Sequence, residues 1–119
     1  MREFGREERV GTELQRELAL LLRHGVQDPR LTQVTIQEVR VVRDLSHARV
    51  FFTLLDNDQA EKVVVALQKA SQFLRHRLGN RLKLRTIPKL HFEYDHSFET
   101  GMRLSNLIDQ AVAQENKDG

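Results

Sequence analysis

The residues of this 119-residue chain that come nearest to a catalytic or metal-binding cluster are two histidines and two acids near its C-terminal end. They are His91, Glu93, Asp95 and His96. Alternate residues of a strand point to the same face, so an imidazole and two carboxylates could converge on a divalent cation. The same residues are typical of the solvent face of a sheet, and no partner that would orient such ligands can be identified. We favour the surface interpretation, with a metal-dependent hydrolase as the alternative.

Nucleophilic catalysis and phosphate-binding loops are even less well supported. The available serines lie in no strand-turn-helix pattern that would expose a nucleophile, and the chain has no cysteine. These serines are Ser46, Ser71, Ser97 and Ser105. The six glycines are scattered singly, without the repeated spacing that lets backbone amides surround a phosphate. We therefore expect a protein that is not an enzyme and that has no cofactor and no metal.

The strongest chemical signal is a basic segment, residues 62–92, which contains eight lysines and arginines and no acid. They are Lys62, Lys69, Arg75, Arg77, Arg81, Lys83, Arg85 and Lys89. Of the 19 lysines and arginines, 11 remain elsewhere against all 17 acids, which gives the rest of the chain a formal charge of −6. A cationic segment on an acidic body favours an oriented contact with a polyanion such as RNA. The alternative is a solvated polar surface, because helix C-termini favour such cations through the helix dipole.

Composition limits the remaining possibilities. With 39% hydrophobic and 30% charged residues, a chain of this length is expected to form one domain around one core. The absence of cysteine gives no indication of an oxidising compartment. The N-terminal residues lack the apolar core of a signal peptide, and no apolar run is long enough to cross a bilayer. We therefore expect a cytoplasmic protein without a membrane contact.

Hydropathy predicts the elements that must present the basic segment. The apolar positions of a first helix are Val10, Leu14, Leu18, Leu21 and Leu22. Their spacing predicts one buried stripe on a helix that starts between Gly5 and Thr12 and ends near His24. Two strands follow, and the alternation in the first slips at Gln37-Glu38, as a β-bulge would produce. A short turn between them predicts an antiparallel hairpin.

The second strand places Phe51 on the face away from the core positions. An outward phenylalanine could stack on a nucleobase, but it is more often covered by another element or left as ordinary exposed surface. Asp58 and Glu61 then predict the capped start of one long helix that continues to Gly79. Along its solvent face, Lys62, Lys69 and His76 recur every seventh residue, with Gln72 beside them, and predict a cationic ridge.

A third strand follows Pro88, and a last helix with Met102, Leu107, Ile108 and Ala111 facing inward completes the predicted order. The chain is therefore expected to be an α+β protein with one sheet covered on one face by helices. The opposite face of the sheet, or the ridge of the long helix, would remain free for a partner. We expect a single domain over residues 1–113, followed by a short polar tail at 114–119.

Several short stretches resemble the ribosome-binding factor A family of bacteria. They are Asp28-Pro29-Arg30-Leu31, Arg43-Asp44-Leu45-Ser46-His47-Ala48, Leu78-Gly79, Leu82-Lys83-Leu84-Arg85-Thr86-Ile87-Pro88, Phe92-Glu93-Tyr94-Asp95 and Gly101-Met102-Arg103. The resemblance extends from about Phe4 to Ile108. It implies a type II KH-like fold with the order helix, strand, strand, helix, helix, strand, to which the C-terminal helix is added. It also implies a bend between two helices, commonly Ala-x-Gly, which here falls on Ala70-Ser71-Gln72.

The same resemblance implies the function. Members of this family bind the free 30S small ribosomal subunit near the 5′-terminal helix of 16S ribosomal RNA, assist late processing of that RNA, and matter most in the cold. They have no catalytic activity and no cofactor. A cytoplasmic, RNA-binding factor of ribosome biogenesis that acts as a monomer is therefore expected. Gln72 departs from the glycine that is common at the bend, and the tail after Val112 is shorter than in many relatives.

The resulting hypothesis assigns phosphate contacts to the basic segment and side-chain hydrogen bonds to the bend. The RNA-binding residues predicted here are Lys69, Ser71, Gln72, Arg75, Arg77, Arg81, Lys83 and Arg85, with Arg43, Arg49 and Lys89 as weaker candidates. The alternative hypothesis is a protein-interaction module that docks on a ribosomal protein or an assembly GTPase through the free sheet face around Phe51.

Overall fold

The computed structural model describes residues 5–97, so the predicted last helix and the domain limit at residue 113 lie outside the described residues. Its helices are α1 (Arg6–His24), α2 (Pro29–Thr32), α3 (Ala60–Lys69) and α4 (Ser71–Arg81), and its strands are β1 (Thr35–Val41), β2 (His47–Thr53) and β3 (Lys89–Tyr94). A 3-10 turn at Asn57–Gln59 precedes α3. The helix, strand, strand, helix, helix, strand order is thus confirmed, with the short α2 as an addition.

Helix α1 has the bounds and the buried stripe that its hydropathy predicts. Gly11 lets this helix approach the sheet closely, because a Cβ atom there would lie 2.7 Å from the carbonyl oxygen of Val39 in β1. Asp28 and Pro29, which follow α1, start a further short helix that the sequence analysis missed. The Asp28 carboxylate accepts a hydrogen bond from the backbone N–H of Arg30 and caps α2, which begins at Pro29.

The predicted hairpin and its bulge are confirmed. Strands β1 and β2 pair antiparallel, and the register shifts between Ile36 and Glu38, which leaves Gln37 as the extra residue. Leu45, in the connecting turn, has a φ of 64° and is the only non-glycine residue with positive φ in the described range. Its partly buried side chain packs against the core, which holds this uncommon backbone conformation in place.

Strand β3 joins the free edge of β2 in parallel, which gives the sheet order β1-β2-β3. The outer edge of β3 meets the side chain of Gln68 on α3. The Gln68 amide donates to the carbonyl oxygen of Leu90 at 3.0 Å and accepts from the N–H of Phe92 at 3.3 Å. One side chain therefore satisfies the two backbone groups that a further strand would otherwise bind.

The prediction of one continuous helix from Asp58 to Gly79 is wrong. Helix α3 ends at Lys69, α4 starts at Ser71, and Ala70 between them has a ψ of −3° instead of the helical value near −42°. The predicted cap is also displaced, because the Asp56 carboxylate accepts from the N–H of Asp58 and caps the preceding 3-10 turn. Gly79 does not stop the helix, since α4 continues to Arg81.

One hydrophobic core lies between the sheet and the helices. Its largest fully buried side chains come from these helices, from β2 and β3, and from the segment before β3: Leu14, Leu18, Leu22, Leu31, Val50, Phe52, Leu67, Leu74, Leu78, Pro88 and Leu90. Alternate residues of β2 and β3 are exposed or only partly buried, so within residues 5–97 the helices cover one face of the sheet and leave the other open. No helix of the described residues is long and apolar enough to span a membrane.

Candidate nucleic-acid interface

The junction of α3 and α4 is built without glycine. Ala70 makes the break, while Gln72 lies inside α4 and has no positive φ. The amide of Ala70 still bonds to the Ala66 carbonyl, and the Ala70 carbonyl accepts from Leu74, so the two helices remain joined. The bend implied by the family resemblance is therefore present at Ala70-Ser71-Gln72. Ser71 is half-buried at the start of α4, and Gln72 is exposed.

The cations predicted to bind phosphate fall into two groups. Lys69, Arg77, Lys83 and Arg85 have exposed side chains, and within residues 5–97 none of them takes part in an ion pair. The other group consists of Arg75 and Arg81, whose side chains bind other parts of the protein. The uniform basic segment of the sequence is therefore divided by the structure into free and engaged cations.

Arg75 belongs to the engaged group. Its Nε donates to the carbonyl oxygen of Pro88 at 3.1 Å and one of its terminal nitrogens donates to that of Ile87 at 2.8 Å. These bonds attach α4 to the segment that enters β3. Because Arg75 is half-buried and satisfies two backbone carbonyl groups, its role is to stabilise the fold.

Arg81, the last residue of α4, is also engaged. Its Nε lies 2.6 Å from Glu17 Oε2, and the Glu17 side chain is only 14% exposed. The pair joins the end of α4 to the middle of α1. Because Glu17 neutralises this guanidinium, Arg81 contributes less positive potential to the surface than its sequence position suggests.

Lys83 and Arg85 lie on the loop between α4 and β3. The side chains of Leu82 and Leu84, which alternate with them, are buried or partly buried, whereas both cations are exposed. Arg85 lines a shallow groove against the β1–β2 turn, together with Arg6, Asp44 and Ser46. This loop therefore presents two exposed cations of the basic segment.

The predicted cationic ridge does not form one straight line. Lys62 and Lys69 are exposed on α3 and His76 is exposed on α4, but the break at Ala70 lies between them. A seven-residue repeat aligns side chains only while a helix is uninterrupted. The ridge is therefore two shorter charged surfaces that meet at the bend.

Phe73 is an exposed aromatic residue that the sequence analysis missed. It lies on the first turn of α4 and keeps 47% of its surface exposed, with the Arg77 guanidinium carbon 5.8 Å from the ring centroid. The i, i+4 spacing of phenylalanine and arginine beside the bend was the signal that could have identified this pair.

The open sheet face contains the other aromatic candidate. Phe51 faces away from the core as predicted, but Arg40 and Arg49 lie over its ring with their guanidinium carbons at 5.2 and 5.0 Å. These two arginines are opposite each other in the β1–β2 register. Glu38 and Glu93 pair with them, and these hydrogen bonds hold the pKa of both guanidinium groups above the ordinary arginine value. The ring is thus enclosed by arginine side chains.

Two of the residues considered for a metal site, His91 and Glu93, pair with residues of β2 across this face. Glu93 makes two hydrogen bonds to Arg49 at 2.8 and 3.1 Å, and His91 Nε2 lies 2.8 Å from His47 Nδ1. Asp95 accepts from both the hydroxyl and the N–H of Ser97, and these bonds lower the pKa of the Asp95 carboxyl. Among residues 5–97 no three side chains of the metal-binding types form a group.

Comparison with known proteins shows the family and the fold of this chain. The sequence profile of the family described as ribosome-binding factor A matches residues 6–108. The ribosome-binding factor A of Thioalkalivibrio sulfidiphilus is 52% identical over 115 residues, which cover 96% of this chain and 89% of the relative. The crystal structure of ribosome-binding factor A from Thermus thermophilus is similar with a TM-score of 0.67 at 28% identity, covering 74% of this chain and 93% of that one.

A second structural match concerns the ribosome-bound state of a relative. Coordinates of Thermus thermophilus ribosome-binding factor A, fitted into the cryo-EM map of a complex with 30S, match with a TM-score of 0.63 at 27% identity. They cover 76% of this chain and 96% of that chain. The α+β architecture described above is thus the KH-like fold of these proteins.

Proposed function

We propose that this chain, which belongs to the ribosome-binding factor A family, binds the free small ribosomal subunit and assists its maturation. The contact is made by the end of α3, by α4 and by the loop that follows α4. Relatives of this chain carry the name ribosome-binding factor, and one of them is described in a complex with 30S. The protein acts in the cytoplasm as a monomer, without catalysis of its own.

The observation that carries the proposal is the set of cations left free by the fold. Lys69, Arg77, Lys83 and Arg85 are exposed around the bend and the α4–β3 loop, within a segment of the sequence that contains no acid. Phosphates of RNA are the ligand that such a surface attracts most strongly, because each contact also releases a condensed counterion. The acidic remainder of the chain orients the protein, since it is repelled by the same phosphates.

The finer assignment within the subunit rests on the family resemblance. The contact is with 16S ribosomal RNA near its 5′-terminal helix, and the protein supports late processing of that RNA, with the greatest effect in the cold. Ser71 and Gln72 at the bend supply hydrogen-bonding groups beside the cations. Such groups suit RNA, whose unpaired bases and 2′-hydroxyls both donate and accept hydrogen bonds.

Co-sedimentation tests this function. The purified protein is centrifuged with free small subunits, large subunits and assembled ribosomes over a series of salt concentrations. We expect binding to the free small subunit only, with an affinity that falls as salt rises. Equal binding to all three particles, or to none, would contradict the proposal.

The open sheet face supports a second candidate function, a docking site for a ribosomal protein or an assembly GTPase. The observation in its favour is the arginine-enclosed Phe51, which offers an amphipathic surface on the uncovered side of the sheet. Subunit binding that is lost in Arg40→Glu and retained after charge reversal of Lys83 and Arg85 would favour this candidate. The reverse pattern would favour direct RNA contact.

A further inference from the structure

We propose that Phe73 is a stacking platform for one unpaired nucleobase of the bound RNA. This inference rests on the proposed function, because it names a chemical contact within the same interface. It adds an aromatic contact to a surface otherwise described by charge. The ligand is a single-stranded RNA segment in which one base is not stacked on the adjacent bases.

The position of Phe73 meets the requirements of such a platform. Phe73 lies one helical turn after the break at Ala70, and 47% of its surface is exposed. This exposure is unusual because burying a phenylalanine side chain is normally favourable. Leu74 and Leu78 on the same helix are fully buried, so α4 is well packed and the exposure of Phe73 is not a result of a loose helix. The aromatic surface is presented on a rigid element.

Arg77 prepares the ring for a base. Its guanidinium lies one helical turn away at cation–π distance from the ring. An arginine beside an aromatic ring adds positive charge that favours the phosphates of a nucleic acid whose base stacks on that ring. Single-stranded RNA is commonly recognised by this combination of an aromatic side chain and adjacent arginine.

The charge around Phe73 favours RNA over a protein surface. No acid occurs between residues 62 and 92, and Lys69 before the bend is exposed in the same region. An apolar patch that binds an apolar protein surface gains nothing from this excess of cations. Stacking on a base requires only an accessible ring with cations near the backbone of the nucleic acid.

Phe51 provides the matched control. It is the other outward-facing phenylalanine of the described residues, but two guanidinium groups lie over its ring, and both of those arginines are paired with glutamates. Phe73 has only one guanidinium over its ring, at the longer distance of 5.8 Å, so a base has less access to Phe51 than to Phe73. Phe51→Leu is therefore expected to leave RNA affinity within about twofold, whereas Phe73→Leu removes one stacked base, worth about tenfold.

The experiment compares wild type, Phe73→Leu, Phe73→Trp and Phe51→Leu in binding to two probes. One probe is the free small subunit and the other is an adenine-rich single-stranded RNA. Thermal unfolding of each variant shows whether the fold is intact. We expect Phe73→Leu to weaken binding to both probes about tenfold, Phe73→Trp to retain it, and the melting temperatures of Phe73→Leu and wild type to agree.

Each other outcome overturns the inference in a distinguishable way. If Phe73→Leu binds both probes as wild type does, stacking is excluded while the proposed function stands. If Phe73→Leu loses affinity for the subunit but not for the single-stranded RNA, the ring contacts a protein surface instead. If wild type does not bind the free subunit at all, the proposed function fails, and this inference fails with it.

Discussion

The terminal nitrogen of Arg75 donates a 2.8 Å hydrogen bond to the carbonyl oxygen of Ile87. This bond ties α4 to the segment leading into β3, so an arginine from the middle of the basic segment has a structural role. Cations of one sequence segment therefore differ in function according to what they touch. The difference can be measured, because loss of a structural cation changes stability and loss of a binding cation does not.

Arg75→Ala is expected to lower the free energy of unfolding by about 1–3 kcal/mol, because the carbonyls of Ile87 and Pro88 lose their donor in a half-buried position. Arg77→Ala, on the same helix but with its guanidinium over the exposed Phe73 ring, is the control and should change stability by less than about 0.5 kcal/mol. Urea unfolding measures both. Equal stability of the two variants would show that the Arg75 bonds do not hold the loop.

The Arg81–Glu17 pair is expected to show energetic coupling. Arg81→Ala, Glu17→Gln and the double variant form a cycle, and we expect a coupling energy of about 0.5–1 kcal/mol at low salt because one partner is mostly buried. Urea unfolding of the four proteins at low and high salt measures the coupling energy and how far salt reduces it. A coupling energy of zero would mean that Arg81 is available for phosphate as the sequence analysis assumed.

Gly11 and Gly79 are expected to respond oppositely to alanine, although both lie inside helices. At Gly11 the added Cβ would lie 2.7 Å from the Val39 carbonyl oxygen, so α1 must move off the sheet at a cost of about 1–3 kcal/mol. At Gly79 the nearest atom is Ile87 Cγ1 at 3.7 Å, an ordinary contact. Gly79→Ala should therefore stabilise the protein by about 1 kcal/mol through helix propensity. If thermal unfolding shows that both variants change the melting temperature in the same direction, the close approach of α1 to β1 at Gly11 is contradicted.

Asp44 is expected to contribute to the acid sensitivity of the fold. Hydrogen bonds from the hydroxyl and the N–H of Ser46 hold the pKa of its carboxyl below the ordinary value of 3.8. A carboxyl whose pKa is depressed by folding stabilises the protein above its unfolded pKa, and this contribution is lost as the pH falls through the folded pKa. The melting temperature of wild type should therefore decrease as the pH is lowered past about 4. The decrease should be less steep in Asp44→Asn, because the asparagine side chain keeps an acceptor oxygen but does not titrate. Identical profiles would exclude this role.

Much of the fold follows from local patterns in the sequence. Helix α1, the bulge at Gln37 and strand β3 each depend on the spacing of apolar residues, which the core then buries as expected. The break at Ala70 could not be predicted from spacing, because the apolar period continues unchanged across it. The break depends on a backbone angle at one alanine, which tertiary packing sets.

The candidate interface was predictable only in part for a similar reason. A run of cations without acids identifies a basic surface, but the engagement of Arg75 and Arg81 depends on residues 12 and 64 positions away in the chain. Phe73 was overlooked because exposure, which makes it a candidate, is a property of the packed structure. In the metal hypothesis, the alternation of His91 and Glu93 was interpreted correctly, whereas their pairing with β2 required the sheet register.

The most direct test of the interface is the salt dependence of binding to the free small subunit after charge reversal. If four free cations contact phosphates, the logarithm of affinity should fall against the logarithm of salt with a slope of about −3. The double variant Lys83→Glu with Arg85→Glu should reduce that slope to about −1.4 and keep the melting temperature. Arg9→Glu with Arg23→Glu, on α1 outside the basic segment, makes the same change in net charge and should retain the slope. A Lys83 and Arg85 variant with the affinity and slope of wild type would contradict an RNA contact through this loop.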